Sequence, residues 1–356
     1  MSTIQFYGYW HGSGSFARIS NAIGWALRRR GLQGNVMQIN EYSPRYEDTP
    51  WPVGFNKGAE VAICVGYPLS AQGWLDGHAQ RVLVTVCETD PIPKAWVDAC
   101  NTTTLVVVPS EWCKEVLEAS GVNVPIMVVP HGVDRIINPV PQVCPRGEHV
   151  KLLHVTGALS FPWRKSTSQV LLAYKHLKKT HPELALFLRT PRTPSLDRAL
   201  AELNAPGIVL EGQSQNGDIL YESYDAVIQP SRGEGFGMVP LEARCLGVPA
   251  LLTRLTGHGQ HFATGVDIEV HAGHTALMSS QDNNGGFAPT VTVQAVGHAI
   301  EELLADLQGH QQRATAWAVK KAHLWRWTRV LQPLVKEVAK MIRRRHSLRL
   351  GEEAGL

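Results

Sequence analysis

The sequence predicts an α/β protein of two domains, each built on a parallel sheet covered by helices. Three observations carry this. Short apolar runs, such as Val61-Ala-Ile-Cys-Val65 and Leu105-Val-Val-Val108, alternate with segments of helical period, as βαβ units require. Two strand-like runs open into glycine loops that lead into helices, at 8–14 and 231–237. A stretch holding Pro139, Pro141, Pro145 and Gly147 divides the 356 residues into halves, each long enough for its own core.

Composition narrows the class. Hydrophobic residues make up 44% and charged residues 18%, a globular balance, and a net charge of +3 is too small to argue nucleic-acid binding by itself. The six cysteines form no CxxC pair and no metal-ligand spacing, so buried free thiols are expected. No basic region followed by an apolar core opens the chain, and no apolar run approaches the ~18 residues of a membrane span. The expectation is a protein of the reducing cytoplasm.

Ile4–Tyr7 reads as the first strand. Its loop carries Gly8, Gly12 and Gly14, and Phe16 to Arg30 follows with Ile19, Ile23, Ala26 and Leu27 on one helical face. Ser13 or Ser15 would cap that helix. The glycine spacing is not a dinucleotide fingerprint, and no ribose-binding acid stands at the right distance, so a dehydrogenase is disfavoured. Arg28-Arg29-Arg30 suits a solvated helix end. Residues 36–39, 61–65, 81–86 and 105–108 supply further strands, whereas 41–58 is a proline- and aromatic-rich loop without period. Strand 81–86 ends at Glu88-Thr-Asp90-Pro91. Acids at a strand end are site candidates by position, though either could instead cap the next helix. Ser110 should cap the helix that follows. His131 stands near the end of the first half and is either a cleft residue or a structural one.

The second half opens with strand 151–156. Arg164-Lys165 precedes a helix with Ser166 or Thr167 as its cap. Two cations at a helix N-terminus make a diphosphate site; the alternative is an exposed charged pair. Strands 184–188 and 208–211 and a short helix at 218–224 lead to 226–249, around which the chain is organised. Ala226-Val-Ile228 is a buried strand, Ser231 to Gly237 a loop with three glycines, and Pro240 to Gly247 a helix that starts and stops with suitable residues. Ligands in an open α/β sheet sit at such a strand end. Glu234 and Glu242 frame the loop, and carboxylates accept hydrogen bonds from hydroxyls. The arrangement suits a polyhydroxylated, phosphate-bearing ligand; a plain surface loop with a Glu favoured by the helix dipole is the alternative. Residues 250–253 read as the last strand, 279–289 as a polar loop, 293–307 and 311–338 as helices with a kink at Pro333, and 341–356 as a fraying basic tail.

Within this stretch, Ser-Arg-Gly-Glu234-Gly-Phe-Gly followed by Glu242 in Glu-x7-Glu spacing resembles the donor-site signature of the retaining glycosyltransferases of family 4. Val-Pro-His131-Gly-Val-Asp and Gly257-His258 are also similar to that family. The resemblance spans about residues 81–335 and implies the GT-B fold, two Rossmann-like domains facing across a cleft. It places an acceptor-side domain at 1–138 and a nucleotide-sugar domain at 149–321. A C-terminal helix near 322–348, with Trp317, Trp325 and Trp327, would pack back across the first domain.

The implied activity is retaining, metal-independent transfer of a sugar from a nucleotide-diphosphate donor, with no cofactor. Arg164 and Lys165 would neutralise the leaving diphosphate. Glu234 with Gly235, Phe236 and Gly237 would hold the sugar, Glu242 the ribose, and Gly14 and His131 would contact the donor from the first domain. Gly212 to Gln215 would lie near the base. Two positions depart from the pattern. Many members have a histidine near residue 88, where Glu88 stands in a Glu-Thr-x-x-x-Pro pattern similar to a subgroup, and Ala158 replaces an arginine. Glu88 is the substitute candidate. The acceptor is not legible, and a hydroxymethylated DNA base is one candidate. A nucleotide-sugar epimerase or hydrolase and a non-catalytic nucleotide-sugar-binding protein are the rival classes.

Overall fold

The computed structural model describes residues 3–10, 14–39, 49–136, 149–156, 164–212, 219–277 and 286–354. The first sheet is assembled from β1 (Ile4–Gly8), β2 (Gly34–Gln38), β3 (Val61–Val65), β4 (Arg81–Val84), β5 (Leu105–Val108) and β6 (Ile126–Val128). Its order is β2-β1-β3-β4-β5-β6 and every pairing is parallel. Helices α1 (Ser15–Arg29), α2 (Pro68–Leu75), α3 (Lys94–Asn101) and α4 (Glu111–Ser120) make its crossovers. Strands β3 and β5 are apolar on both faces because helices cover both, which is why they read as continuous apolar runs.

The second sheet contains β7 (Val150–Val155), β8 (Leu184–Arg189), β9 (Ile208–Glu211), β10 (Ala226–Gln229), β11 (Ala250–Leu252) and β12 (Ile268–Glu269). It is also wholly parallel, in the order β12-β11-β10-β7-β8-β9. Helices α5 (Thr167–Leu177), α6 (Pro194–Leu203) and α7 (Met238–Cys245) connect it. The chain runs outward from β7 to β9, then returns to build outward from β10 on the other side. The reversal falls between β7 and β10, and the connections leaving those two strands flank the crevice where ligands of open α/β sheets bind.

Several expectations need correction. Ser15 does not cap α1: the N-cap is Gly14 without a side-chain cap, Ser15 is the first helical residue, and Ser13 lies outside the described residues. Ser166 is the α5 N-cap but gives no side-chain cap, because it sits in the left-handed region with φ 56°. Residues 250–252 are not the last strand. β12 extends the sheet, and an antiparallel pair, β13 (Ala272–Leu277) and β14 (Phe287–Val291), follows it. Part of the expected polar loop at 279–289 is therefore strand, and its residues up to 285 lie outside the described ones.

The C-terminal region is α8 (Val293–Ala305), α9 (Leu307–Lys321), α10 (Trp327–Val330) and α11 (Gln332–Ala354). Pro333 does not kink a continuous helix; it sits in the first turn of α11, where its missing N–H costs nothing, and the break falls earlier, at 322–326. The basic segment after Met341 continues that helix to Ala354 rather than fraying. Trp327 packs into the first-sheet core with Leu331, Leu334, Val335, Val338 and Met341. Trp317 and Trp325 do not: Trp317 stacks on Arg244, and Trp325 packs near Phe236 on the second-domain side. Cys64, Cys87, Cys100, Cys113 and Cys245 are buried free thiols, as expected, and Cys144 lies outside the described residues. No helix among the described residues is long and apolar enough to cross a membrane.

Candidate functional site

The strand–loop–helix at 226–249 forms as read: β10, an irregular loop, then α7 with Pro240 in its first turn. Gly237 is the α7 N-cap with φ 80°, a left-handed conformation that glycine adopts without strain. The loop lies directly on the end of the first sheet. A Cβ on Gly233 would fall 2.0 Å from the Glu88 carbonyl oxygen, so a side chain there would force the domains apart. Ser110 caps α4 by accepting from the Cys113 N–H, and its hydroxyl donates to the Gly235 carbonyl at 2.8 Å. One side chain thus ends a helix in one domain and holds the loop of the other.

Four charged residues meet at this junction. The Arg164 guanidinium lies 3.1 Å from Glu88 Oε1 and 3.4 Å from Glu234 Oε2, and it donates to the Gly233 carbonyl at 2.7 Å. Lys165 is paired with the other oxygen of Glu234. These are not exposed charges: Arg164 is 8% and Glu234 6% exposed, which settles that alternative. Burial alone would raise the Glu234 carboxyl, but Lys165 and Arg164 outweigh it and hold the group well below the usual carboxylate range. Burial pulls the Lys165 ammonium down from its ordinary value, with Glu234 opposing. Burial would also pull Arg164 down, yet Glu88 and Glu234 carry it upward. Glu88 is therefore no helix cap. α3 begins after Pro93, and Glu88 is a partner of the arginine across the junction.

A second network surrounds Glu242. Arg18 of α1 reaches across to its Oε1 at 2.5 Å, and the Tyr221 hydroxyl donates to its Oε2 at 2.6 Å. Arg18 also binds Asp134 at 3.1 Å. Burial dominates here and raises the Glu242 carboxyl despite Arg18.

Gly235, Phe236 and Gly237 stand with Glu234 in the loop, but the Phe236 ring turns into the protein against His131, with ring centres 5.0 Å apart. His131 is buried between Phe236 and Trp327, and burial with the nearby Arg18 lowers its imidazole to about 3. That arrangement fits the structural alternative for His131 better than a cleft contact. Gly14 is exposed at the start of α1, four residues before Arg18. Of the base-contact candidates, 213–215 lie outside the described residues, as do Gly157 and Ala158.

Sequence reasoning missed Arg18, Tyr221 and the loop-holding role of Ser110. Arg18 had one signal, a cation in the first turn after a glycine loop. The others had none, because their partners are distant in sequence. Around the same junction the buried hydroxyls of Thr156, Ser166 and Ser231 have no hydrogen-bond partner among the described residues. All three follow strands β7 or β10 or precede α5, where ligand hydroxyls or phosphate oxygens would lie. Among the described residues no group of three His, Cys, Asp or Glu could hold a metal ion.

Residues 213–334 match the model described as "Family 4 Glycosyltransferase in conflict systems". A glycogen synthase of Mycobacterium tuberculosis is 24% identical over 250 residues, covering 68% of this chain and 54% of the relative. The chain thus spans about half the length of the curated relatives it matches. Among solved structures, sucrose-phosphate synthase from Thermosynechococcus elongatus superposes with a TM-score of 0.73 at 14% identity, over 98% of this chain and 100% of that one. Anabaena HepE in complex with UDP-glucose gives 0.70 at 16% identity, over 95% and 99%. The two six-stranded parallel sheets and these superpositions show a GT-B fold, and the family match over residues 213–334 agrees with the resemblance to family-4 glycosyltransferases carried by Glu234 and Glu242.

Proposed function

We propose that the protein transfers a sugar from a nucleotide-diphosphate donor to an acceptor hydroxyl, with retention at the anomeric carbon and without a metal ion. The observation that carries this reading is the buried cluster of Arg164 and Lys165 with Glu234 and Glu88 at the switch point of the second sheet. When the bond between the anomeric carbon and the diphosphate breaks, its electron pair goes to the phosphate oxygen. Two cations already fixed in a low-dielectric site stabilise that charge without reorganising. The acceptor oxygen forms the new bond on the same face, and its proton passes to the departing diphosphate. No base is needed, which suits a site whose carboxylates are already paired with cations.

Glu234, Gly235 and Gly237 are assigned to the sugar, and Glu242 to the ribose. Arg18 is paired with Glu242, so ribose binding there would exchange an ion pair for hydroxyls. A UDP-sugar is the first donor to test, because the similarly folded HepE was solved with UDP-glucose. The first domain would choose the acceptor, whose class this reading leaves to screening, a hydroxymethylated DNA base included.

The test is a thermal-shift panel of UDP-, GDP-, ADP- and TDP-sugars on wild type and Glu242→Ala. A ligand that binds only the folded state stabilises it in proportion to the logarithm of concentration over Kd. One base should raise the wild-type melting point, and the variant should lose that rise. If no nucleotide sugar shifts the wild type, the donor-site reading fails. Conversion of the donor with no acceptor present would favour an epimerase or hydrolase instead.

A further inference from the structure

His258 is unassigned in the reading above, yet it carries a specific hydrogen-bonding demand. It lies in a short 3-10 turn, Thr256–Gln260, behind β11, and is fully buried. Its Nδ1 is 3.3 Å from the Thr253 hydroxyl oxygen, and that hydroxyl is itself 2.7 Å from the Ser231 carbonyl. A carbonyl can only accept, so the single Thr253 hydroxyl proton goes to Ser231. Toward His258 the Thr253 oxygen can then only accept, which places the ring proton on Nδ1. In the neutral ring, Nε2 is left as a bare lone pair.

Burial keeps the ring neutral, lowering it to about 4, with Glu234 opposing and Lys165 reinforcing the shift. Nε2 has no hydrogen-bond partner among the described residues. It faces the start of α7: a Cβ on Gly237 would fall 2.3 Å from Nε2. A buried acceptor without a partner is costly, and its neighbours here are the loop and cluster assigned to the donor. Ionised phosphate oxygens have no proton to give and cannot satisfy it. A sugar hydroxyl can.

We propose that His258 accepts a hydrogen bond from one hydroxyl of the transferred sugar and so selects the donor by that hydroxyl. This rests on the donor-site reading. It assigns the Thr253–His258 pair, anchored to the Ser231 carbonyl, as a specificity element separate from the cations that hold the diphosphate.

The test is calorimetric binding of UDP, UDP-glucose and its 2-, 3-, 4- and 6-deoxy analogues to wild type, His258→Phe and His258→Gln. Wild type should lose about 5- to 30-fold in affinity when one particular hydroxyl is removed. His258→Phe should bind UDP within about twofold of wild type, bind UDP-glucose about 5- to 30-fold more weakly, and no longer discriminate that analogue. His258→Gln, whose amide oxygen can stand where Nε2 stood, should recover part of the discrimination. If His258→Phe does not fold, His258→Asn carries the same comparison, since its amide keeps a donor toward Thr253 and its shorter side chain does not reach where Nε2 stood.

Equal weakening of UDP and UDP-glucose, or a deoxy-analogue profile unchanged by the substitution, would overturn the assignment and leave Nε2 to an ordered water. If wild type binds neither UDP nor UDP-glucose, the UDP-sugar reading falls and this inference with it.

Discussion

Glu234 and Glu242 lie eight residues apart on one loop–helix element, and both are buried, yet their carboxyls are driven in opposite directions. Glu234 has two cations on it, Lys165 and Arg164, both from the loop that leaves β7. Glu242 has one, Arg18, which it shares with Asp134, and otherwise a tyrosine hydroxyl. Desolvation acts on both. Two fixed charges exceed it, and one shared charge does not. The difference separates two jobs. The Glu234 cluster is a preassembled charge framework with two cations fixed on one carboxylate. Glu242 is held by a single cation, Arg18 of α1, which also binds Asp134.

The sharpest way to break this comparison is Arg164→Met. It removes the cation that Glu88 and Glu234 share while leaving Lys165 on Glu234, and loss of one member of a buried ion cluster typically costs ~3–5 kcal/mol. Urea unfolding should show a loss of that order together with loss of transfer. A cost within the ~1 kcal/mol of an exposed pair would mean the cluster is solvated in solution.

A second experiment compares unfolding free energy against pH for wild type, Glu234→Gln and Glu242→Gln. The Glu234 carboxyl titrates lower in the folded protein than in the unfolded chain. Its contribution is present above about pH 4.3 and drains away as pH falls toward the folded value. The deficit of Glu234→Gln should therefore be greatest near neutrality, at about 3 kcal/mol, and shrink in acid. Glu242 titrates higher when folded, so ionising it costs stability as pH rises above about 4.3. Glu242→Gln should thus gain on wild type as pH rises above about 4.3, where the deficit of Glu234→Gln has already levelled off. Parallel slopes would show that the two carboxyls share one environment.

The smallest expected effect sharpens the account of how the loop is held. Ser110→Ala removes the α4 cap and the bond to the Gly235 carbonyl together, for about 1–2 kcal/mol. Because the bond to Gly235 crosses the domain junction, donor affinity should fall alongside stability. A drop in melting temperature with unchanged affinity would confine Ser110 to its capping role.

Much of this was legible in the chain. The strands on either side of the second-sheet crevice show as largely apolar runs closed by glycine loops, because a strand covered by helices on both faces buries most of its side chains. Glu234, Arg164 and Lys165 could be placed because each stands within a few residues of a strand end or a helix start. Glu88 was placed by the same rule, although its partner could not be named. What stayed hidden was pairing across distance. Arg18 meets Glu242 over more than two hundred positions, and Ser110 meets Gly235 over 125. Such contacts leave no periodic mark.

The sequence by itself determined the two parallel α/β sheets and the short-range grammar of the site: strand, glycine loop, helix, with charges at the helix start. These follow from local sterics, hydrophobic period and capping, all read within a dozen residues. Tertiary structure alone decided that Glu234 is doubly paired and Glu242 shared, that His131 packs between Phe236 and Trp327, and that His258 keeps a lone pair without a donor among the described residues. Each depends on which groups are desolvated together and on where a single hydroxyl proton points, and those are properties of three-dimensional packing.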